Sequence, residues 1–461
     1  MANIVETRPA KQGPRNAKAL RARKALQQIY YAAVRAAKPS LLLKKQLRIS
    51  DNALIVETAR RRCRFPLSGK IYLVGVGKGA DLSAPVWQRL LGKRLEQGLF
   101  IVRDRLVRGR LMRITITAAG HPLPDKRGLS ATRRCLEILS RAGPDDGVVV
   151  FLMGGASSLL VAPASGITLA DKQAATAALL KSGMNIAETN CVRKHLSAIK
   201  GGGLLRAAYP ARVLTLAVSD VVGDDPGVIG SAPSFHDPTT FREAWKILEK
   251  HKLAKKVPRA VQKHLLRGIR GKAPETLKPG SLFSRRSRFV LIASNQDSLA
   301  AARRKAESMG LASKVLTAEL SGDAQTRARE ICRKLKLMAN GKKPGARPRC
   351  FLIGGETTVS VKGKGLGGRN QEFALACALE LSGCRGIYLL SAASDGSDGP
   401  TDAAGAFVDG ESCARAGRLG LDPRHALREN DSYHFFKRLG DHFRPGPTGT
   451  NVMDFIIALI D

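Results

Sequence analysis

Acidic residues are scarce. Asp plus Glu number 38 against 77 Lys plus Arg, a formal charge of +39, and such a balance ordinarily points to nucleic acid or an anionic membrane. The chain lacks what those partners need. Aromatics make up only 5%, the basic residues fall in short scattered clusters such as "RRRCRF", "HKLAKK" and "GKKPGARPR", and there is no RNA-reading aromatic signature, zinc-finger spacing or basic zipper. The charge is read as a solvated basic surface, and nucleic acid is not expected as a partner. The eight cysteines contain no CxxC pair and no Cys/His ligand spacing, so reduced structural thiols are expected. Apolar runs such as "GVVVFLMGGASSLLVAPA" are broken by Gly, Ser and Pro, short of the ~20 residues that span a bilayer. No membrane segment is expected, and the location is expected to be cytoplasmic. The Arg/Lys-rich stretch 1–16 reads as a basic tail, with an organellar presequence as the alternative.

Two catalytic signatures are also missing. No stretch fits GxxxxGK[ST], which argues against a Walker-type nucleotide site. No GxSxG elbow surrounds Ser157 and Ser158, which argues against a serine hydrolase.

What is present is an alternation of strands and helices. From Ala17 the residues Leu20, Leu26, Ile29, Tyr30 and Ala33 recur at helical spacing. "KIYLVGVGKGA", "LFIVRD", "DGVVVFLMGGASSLL", "ARVLTLAVSDVVGDD" and "SRFVLIAS" then read as apolar strands separated by helices, the pattern of a parallel sheet covered on both faces. The Gly/Pro/Lys-rich stretch 335–349 reads as a linker. Beyond it, "CFLIGGETTVSVKG" suggests a strand with a hairpin continuation, "RNQEFALACALEL" a helix and "NVMDFIIALI" a terminal strand. The expected boundaries are a tail over 1–16, an N-terminal α/β domain over 17–334 and a C-terminal α/β domain over 350–461.

The apolar strands end in loops of small or polar residues, "GVGKGA", "GGASS", "SDVVGDD", "GGETT" and "SDGSDG". Open parallel sheets bind ligands outside the carboxyl ends of their strands, so a site is expected there. Gly75, Gly77 and Ala80 satisfy a permissive GxGxxG/A dinucleotide fingerprint with Asp104 as ribose acid, which keeps an NAD(P)H-dependent oxidoreductase in play. Lys78 inside that loop equally suits a phosphate or a carboxylate. Phosphoryl transfer needs anion-cradling amides, cations and carboxylates for Mg²⁺. "GGASS" and "GGETT" offer the first, Lys78, Lys194, Lys200 and Arg369 the second, and Asp220, Asp224, Asp225, Asp395, Asp398 and Asp402 the third. Against this, Asp-Gly pairs commonly form plain turns, Gly-rich βα loops often bind nothing, and His195 beside Arg193 and Lys194 reads first as a packing or surface histidine.

The set "GVGKGA", "GHPLPD", "MGGASSLL", "NCVRKHLSAIKGGGL", "SDVVGDDPGVIGSAP", "GGETTVSVKGKGLGGRNQEFALA", "SDGSDGPTDAAGAFVD" and "GPTGTNV", in this order over nearly the whole chain, resembles the glycerate 2-kinase family with its C-terminal MOFRL domain. The resemblance implies a large Rossmann-like parallel-sheet N-terminal domain, a smaller α/β MOFRL-like C-terminal domain and a cleft between them. It implies ATP-dependent phosphorylation of D-glycerate to 2-phosphoglycerate with Mg²⁺; an assembly of identical subunits is left open. By motif it makes Lys78, Asp220 and Arg369 catalytic. Gly154, Gly155, Ser157, Ser158, Gly354, Gly355, Glu356, Thr357 and Asn370 become the ATP-binding set, Asp395 and Asp398 the metal ligands, and Thr450 and Asn451 lining residues. "MGGASSLL" departs from the family's more usual SGGGSALL, with Ala156 where glycine would leave backbone more open to phosphate. Some relatives carry the name hydroxypyruvate reductase, the alternative activity.

Overall fold

The computed structural model describes residues 17–107, 109, 111–341 and 347–461; the expected basic tail over 1–16 and the middle of the expected linker lie outside them. The chain divides into two compact units. Unit 2 comprises Lys38–Ser294 with the short segment Gly449–Asn451, and unit 1 comprises the residues up to Ala37, Asn295–Thr448 and Val452–Asp461.

Unit 2 opens with a small antiparallel sheet of β1 (Leu47–Ser50), β2 (Ala53–Glu57) and β3 (Arg62–Pro66). Its main sheet contains β4 (Ile71–Val76), β5 (Leu95–Val102), β6 (Ile114–Ala118), β7 (Gly147–Leu152), β8 (Arg212–Val218) and β9 (Ser287–Ala293), ordered β6-β5-β4-β7-β8-β9. Every neighbouring pair is parallel. Counted within this sheet the order is 3-2-1-4-5-6, the doubly wound arrangement of dinucleotide-type folds. The central strands "IYLVGV" and "GVVVFL" are buried at every position, as strands covered on both faces must be. The helix Lys126–Leu139 supplies Ala131, Cys135, Ile138 and Leu139 to the core on one face. A second cluster joins the helices Leu169–Lys181, Ile186–His195, Phe241–Lys250 and Arg259–Ile269. The first three of these start on capping boxes, at Thr168, Asn185 and Thr240, each stabilising its first turn by about 1 kcal/mol.

Unit 1 is built on a mixed sheet of β10 (Ala312–Asp323), β11 (Arg349–Thr358), β12 (Ile387–Ala393), β13 (Gly405–Asp409), β14 (His442–Phe443) and β15 (Asp454–Ile460), ordered β10-β11-β15-β12-β13-β14. Only β10 and β11 run parallel; the remaining pairs are antiparallel. The terminal strand is therefore central, and "DFIIALI" is wholly buried. No hairpin follows β11: after Thr358 the chain runs irregularly to the helix Arg369–Glu380.

The units divide elsewhere than composition indicates. Leu335–Asn340, the start of the expected linker, is the end of the helix Ala324–Asn340, and the division falls between Ser294 and Asn295. The first helix belongs to unit 1 because its apolar stripe has its partners there. Tyr30 donates its hydroxyl to the Ala393 carbonyl at 2.7 Å and sets its ring edge-on to Phe443 and Phe455, while Arg23 pairs with Asp441 at 2.7 Å. Among the described residues all eight cysteines are free thiols, and no helix is long and apolar enough to cross a membrane.

Candidate active site

In unit 2 the strand order reverses between β4 and β7, and the loops leaving these two strands meet. The Lys78 backbone N–H donates to the Gly154 carbonyl at 2.9 Å. Gly77 and Gly79 take φ of +133° and +73°, conformations that a side chain would strain, and so turn Lys78 across the end of the sheet. A Cβ on Gly154 would stand 2.5 Å from Asp220 Oδ2 and closer still to the Asn451 amide. Glycine there lets the loop after β8, carrying Asp220, and the segment Gly449–Asn451 close on the loop after β7. Asn451 Nδ2 donates to Asp220 Oδ2 at 3.2 Å, orienting the carboxylate. His121 follows β6 in "GHPLPD" and also reaches the loop: a Cβ on Gly155 would lie 3.0 Å from its ring and 3.4 Å from Lys78 Cγ. Lys78, His121, Asp220 and Asn451 are all partly open to solvent. His121 joins this cluster although residue-by-residue reading does not single it out; its signal in the sequence is the motif "GHPLPD" that contains it.

Ser157 is not arranged as a nucleophile. Ser231 Oγ donates to Asn190 Oδ1 at 3.1 Å and lies 2.8 Å from Ser157 Oγ, so the Ser157 proton goes to Ser231 while Ser157 accepts from Lys200 Nζ at 3.3 Å. Ser158 Oγ turns back to the Gly155 carbonyl. Asp225 caps its own turn through the Gly227 N–H. His195 is buried with both ring nitrogens engaged, Nδ1 to the Cys191 carbonyl and Nε2 to Glu275, each at 2.8 Å. Both partners are acceptors, so both nitrogens carry protons and the ring is an imidazolium held inside the fold.

The dinucleotide fingerprint is only partly realised. A Cβ on Gly77, the second glycine of the fingerprint, would meet the Met153 carbonyl at 2.7 Å, so the close approach this glycine permits is taken by the chain's own backbone. The expected ribose acid, Asp104, pairs with its neighbour Arg103 at 2.5 Å.

In unit 1 several expected ligand residues prove to be scaffold. A Cβ on Gly354 would collide with the Asn295 side chain and one on Gly355 with the Leu320 backbone, so strand packing accounts for both glycines. Thr357 and Asn370 are buried, and Asn370 accepts from Ser391 Oγ at 2.8 Å. Asp398 Oδ1 accepts from the Asn370 N–H and Nδ2 at 3.1 and 3.3 Å, and Oδ2 from the Gln371 N–H and Nε2 at 2.9 and 3.1 Å. These four donors saturate the carboxylate and tie the start of the helix Arg369–Glu380 to the loop after β12. Asp398 therefore departs from the expected metal ligand: its lone pairs are spent on the protein. Burial, reinforced by Asp454, pushes its pKa up to about 6 against the opposing N–H donors and Arg369. Asp395 accepts from the Ser397 N–H at 3.1 Å and stays partly open. Among the described residues no group of three or more His, Cys, Asp or Glu could hold a metal ion.

Arg369 forks onto Asp454, Nε to Oδ2 at 2.5 Å and Nη2 to Oδ1 at 2.9 Å, and its Nη1 lies 2.8 Å from Glu356 Oε1. Burial works against the charge, but Asp454, then Glu356 and Asp398, hold the guanidinium's pKa above its ordinary value. Arg369 and Glu356, expected as substrate and ATP ligands, are thus engaged with each other and with the first residue of β15.

Residues 25–266 match the model of a domain of unknown function, DUF4147, and residues 349–454 that of the MOFRL family. The chain is 39% identical over 391 residues to the D-glycerate 2-kinase of Thermotoga maritima, an alignment covering 85% of this chain and 91% of that protein. The chain belongs to the glycerate 2-kinase family. A crystal structure of glycerate kinase from Thermotoga maritima superposes with a TM-score of 0.81 at 36% identity, covering 96% of this chain and all of that one. A protein of Agrobacterium vitis named putative hydroxypyruvate reductase is 39% identical over 444 residues, 95% of this chain and 94% of its own length. Both names thus occur among relatives of the same extent.

Proposed function

We propose that the protein transfers the γ-phosphoryl group of ATP to the 2-hydroxyl of D-glycerate, forming 2-phosphoglycerate. The observation that carries this reading is the meeting of Lys78, Gly154 and Asp220 where the strand order of the parallel sheet reverses, the place where such sheets take ligands. Membership of the family supports the choice of glycerate as acceptor. Phosphoryl transfer asks of a protein chiefly positioning and charge stabilisation. Lys78 holds the glycerate carboxylate or the migrating phosphoryl group. Asp220, oriented by Asn451, takes the proton as the substrate oxygen bonds to phosphorus and the bond to the departing ADP breaks. A magnesium ion held with the nucleotide would neutralise charge on the transferring phosphoryl group. Of the two acidic residues in "SDGSDG", partly open Asp395 would suit a metal-ligand role, and Asp398, whose lone pairs already accept four N–H donors, would not. Within unit 1, Arg369 fixes Glu356 and Asp454.

The hydroxypyruvate reductase reading draws support from the name of the Agrobacterium relative and from the spacing of Gly75, Gly77 and Ala80. Against it stands the Met153 backbone packed on Gly77. The test is ADP release from ATP and Mg²⁺ that depends on D-glycerate, with Lys78→Ala beside the parent chain. The variant is expected to turn over roughly 10²-fold more slowly, as when one transition-state donor is removed. Near-normal turnover would take Lys78 out of the mechanism, and no glycerate-dependent ADP from the parent chain would end the kinase reading.

A further inference from the structure

Unit 2 buries several cations around the loop that follows β7, and they are accommodated in different ways. Lys194 is 6% exposed and has a carboxylate partner, Asp237, at 3.3 Å. Lys172 is 4% exposed and donates to the Leu196 carbonyl at 2.8 Å, just past the end of the helix Ile186–His195, where the helix dipole favours a positive charge. Lys200 has neither arrangement. It is 2% exposed, and among the described residues its ammonium is met only by the Ser157 carbonyl at 2.6 Å and the Ser157 hydroxyl at 3.3 Å. Arg193, half-buried on the helix Ile186–His195, makes no hydrogen bond or ion pair among the described residues.

An uncompensated charge taken out of water is strongly unfavourable, and buried charges are ordinarily paired. Here the strain is mutual. Burial and then the charge of Arg193 drive the Lys172 ammonium down to about 7, and burial with Arg193 and Lys172 drives Lys200 well below its ordinary value. Arg193 is itself lowered by burial. Among the described residues no carboxylate pairs with Lys172, Arg193 or Lys200.

Lys200 has three N–H donors and two acceptors. Arg193 stands three residues after Asn190 on the same helix face; Asn190 accepts from Ser231 Oγ, itself 2.8 Å from Ser157 Oγ, and Arg193 brings a planar fork suited to paired oxygens. Ser157 lies two residues past Gly155, at the strand end where a parallel sheet takes its ligand. We infer that Lys200 and Arg193 form a phosphate-binding site in unit 2, occupied by a phosphate group of the nucleotide or of the phosphorylated product. Several cations match a dianionic phosphate better than a single carboxylate. The identity of the ligand rests on the phosphoryl-transfer reading above; the existence of the site does not.

The test is titration calorimetry of the full chain with inorganic phosphate, ATP, 2-phosphoglycerate and D-glycerate, for the parent, Arg193→Gln, Arg193→Lys and Lys200→Met. Thermal melts identify any variant that fails to fold, and half-buried Arg193 keeps the test alive if Lys200→Met does. Arg193→Gln is expected to weaken the phosphate-bearing ligands roughly 10- to 100-fold, the loss of one or two charge-assisted hydrogen bonds, and to leave D-glycerate unchanged. Arg193→Lys is expected to recover part of the loss. A loss confined to ATP assigns the site to the nucleotide, and one confined to 2-phosphoglycerate assigns it to the product. Unchanged affinity for every phosphate ligand, a loss falling on D-glycerate, or no saturable phosphate binding by the folded parent would overturn the site. Arg193-dependent phosphate binding without turnover would uphold it while removing the kinase reading; turnover with phosphate affinity unchanged in Arg193→Gln would do the reverse.

Discussion

Gly154 shows most directly how a single residue shapes the site. Its missing side chain is the space into which Asp220 and Asn451 fit, so Gly154→Ala is expected to push the carboxylate aside. Displacements near 1 Å commonly reduce turnover by roughly 10²-fold, whereas the packing strain amounts to about 1–3 kcal/mol. Steady-state kinetics beside a urea melt separates the two effects. Arg369 offers the opposite case. Removing its side chain leaves Asp454, 3% exposed, without a partner, and Arg369→Met is expected to lose about 3 kcal/mol of stability. Arg369→Met/Asp454→Asn should recover part of that loss in the same melt. Lys78 and Gly154 are legible in the sequence because each sits where an apolar strand gives way to small residues. Asp395 and Asp398 are not separable that way. They stand in the same "SDGSDG" turn, and only the fold brings the N–H groups of Asn370 and Gln371 onto one of them.

At the scale of the element, the helix Ile186–His195 ends on a charged pair. Burial opposes a charge on His195, yet the Cys191 carbonyl and Glu275 outweigh it and raise the imidazole from 6.5 to about 9; Glu275, with burial again opposing, is held from 4.5 down to about 2 by His195. The His195 contribution to stability is complete below pH 6.5 and is lost as pH rises through about 9. That of Glu275 is complete above pH 4.5 and is lost as pH falls through about 2. Melting temperature is therefore expected to fall between pH 6.5 and 9, and His195→Gln to flatten that decline. The variant should cost about 2 kcal/mol at pH 6, discounted because Glu275 is partly exposed. An equal alkaline decline in parent and variant would assign it to other groups. The packing role of His195 is the first sequence reading, but its charge is not legible, because Glu275 is far away in the chain and only the fold makes them neighbours.

At the scale of the whole molecule, the alternation of strands and helices made the parallel sheet legible, since strands covered on both faces must be apolar throughout. The division into units was not. A Gly/Pro/Lys-rich stretch is a local signal, whereas the helix Ala17–Ala36 is assigned by Tyr30 and Arg23 finding Ala393, Phe443 and Asp441, contacts no window of sequence contains. The crossing at Ser294–Asn295 carries no turn signal because β9 runs almost directly into a helix. The terminal strand is similarly recognisable as a strand but not as the middle of its sheet, since pairing partners are long-range.

The most direct measurement is a coupled assay of the purified chain with D-glycerate, ATP and Mg²⁺, read through enolase, which consumes 2-phosphoglycerate and not the 3-isomer. A parallel reaction contains hydroxypyruvate and NAD(P)H. The account predicts signal in the first reaction and none in the second. Oxidation of NAD(P)H with no enolase signal would contradict it and return the Gly75–Ala80 loop to a dinucleotide.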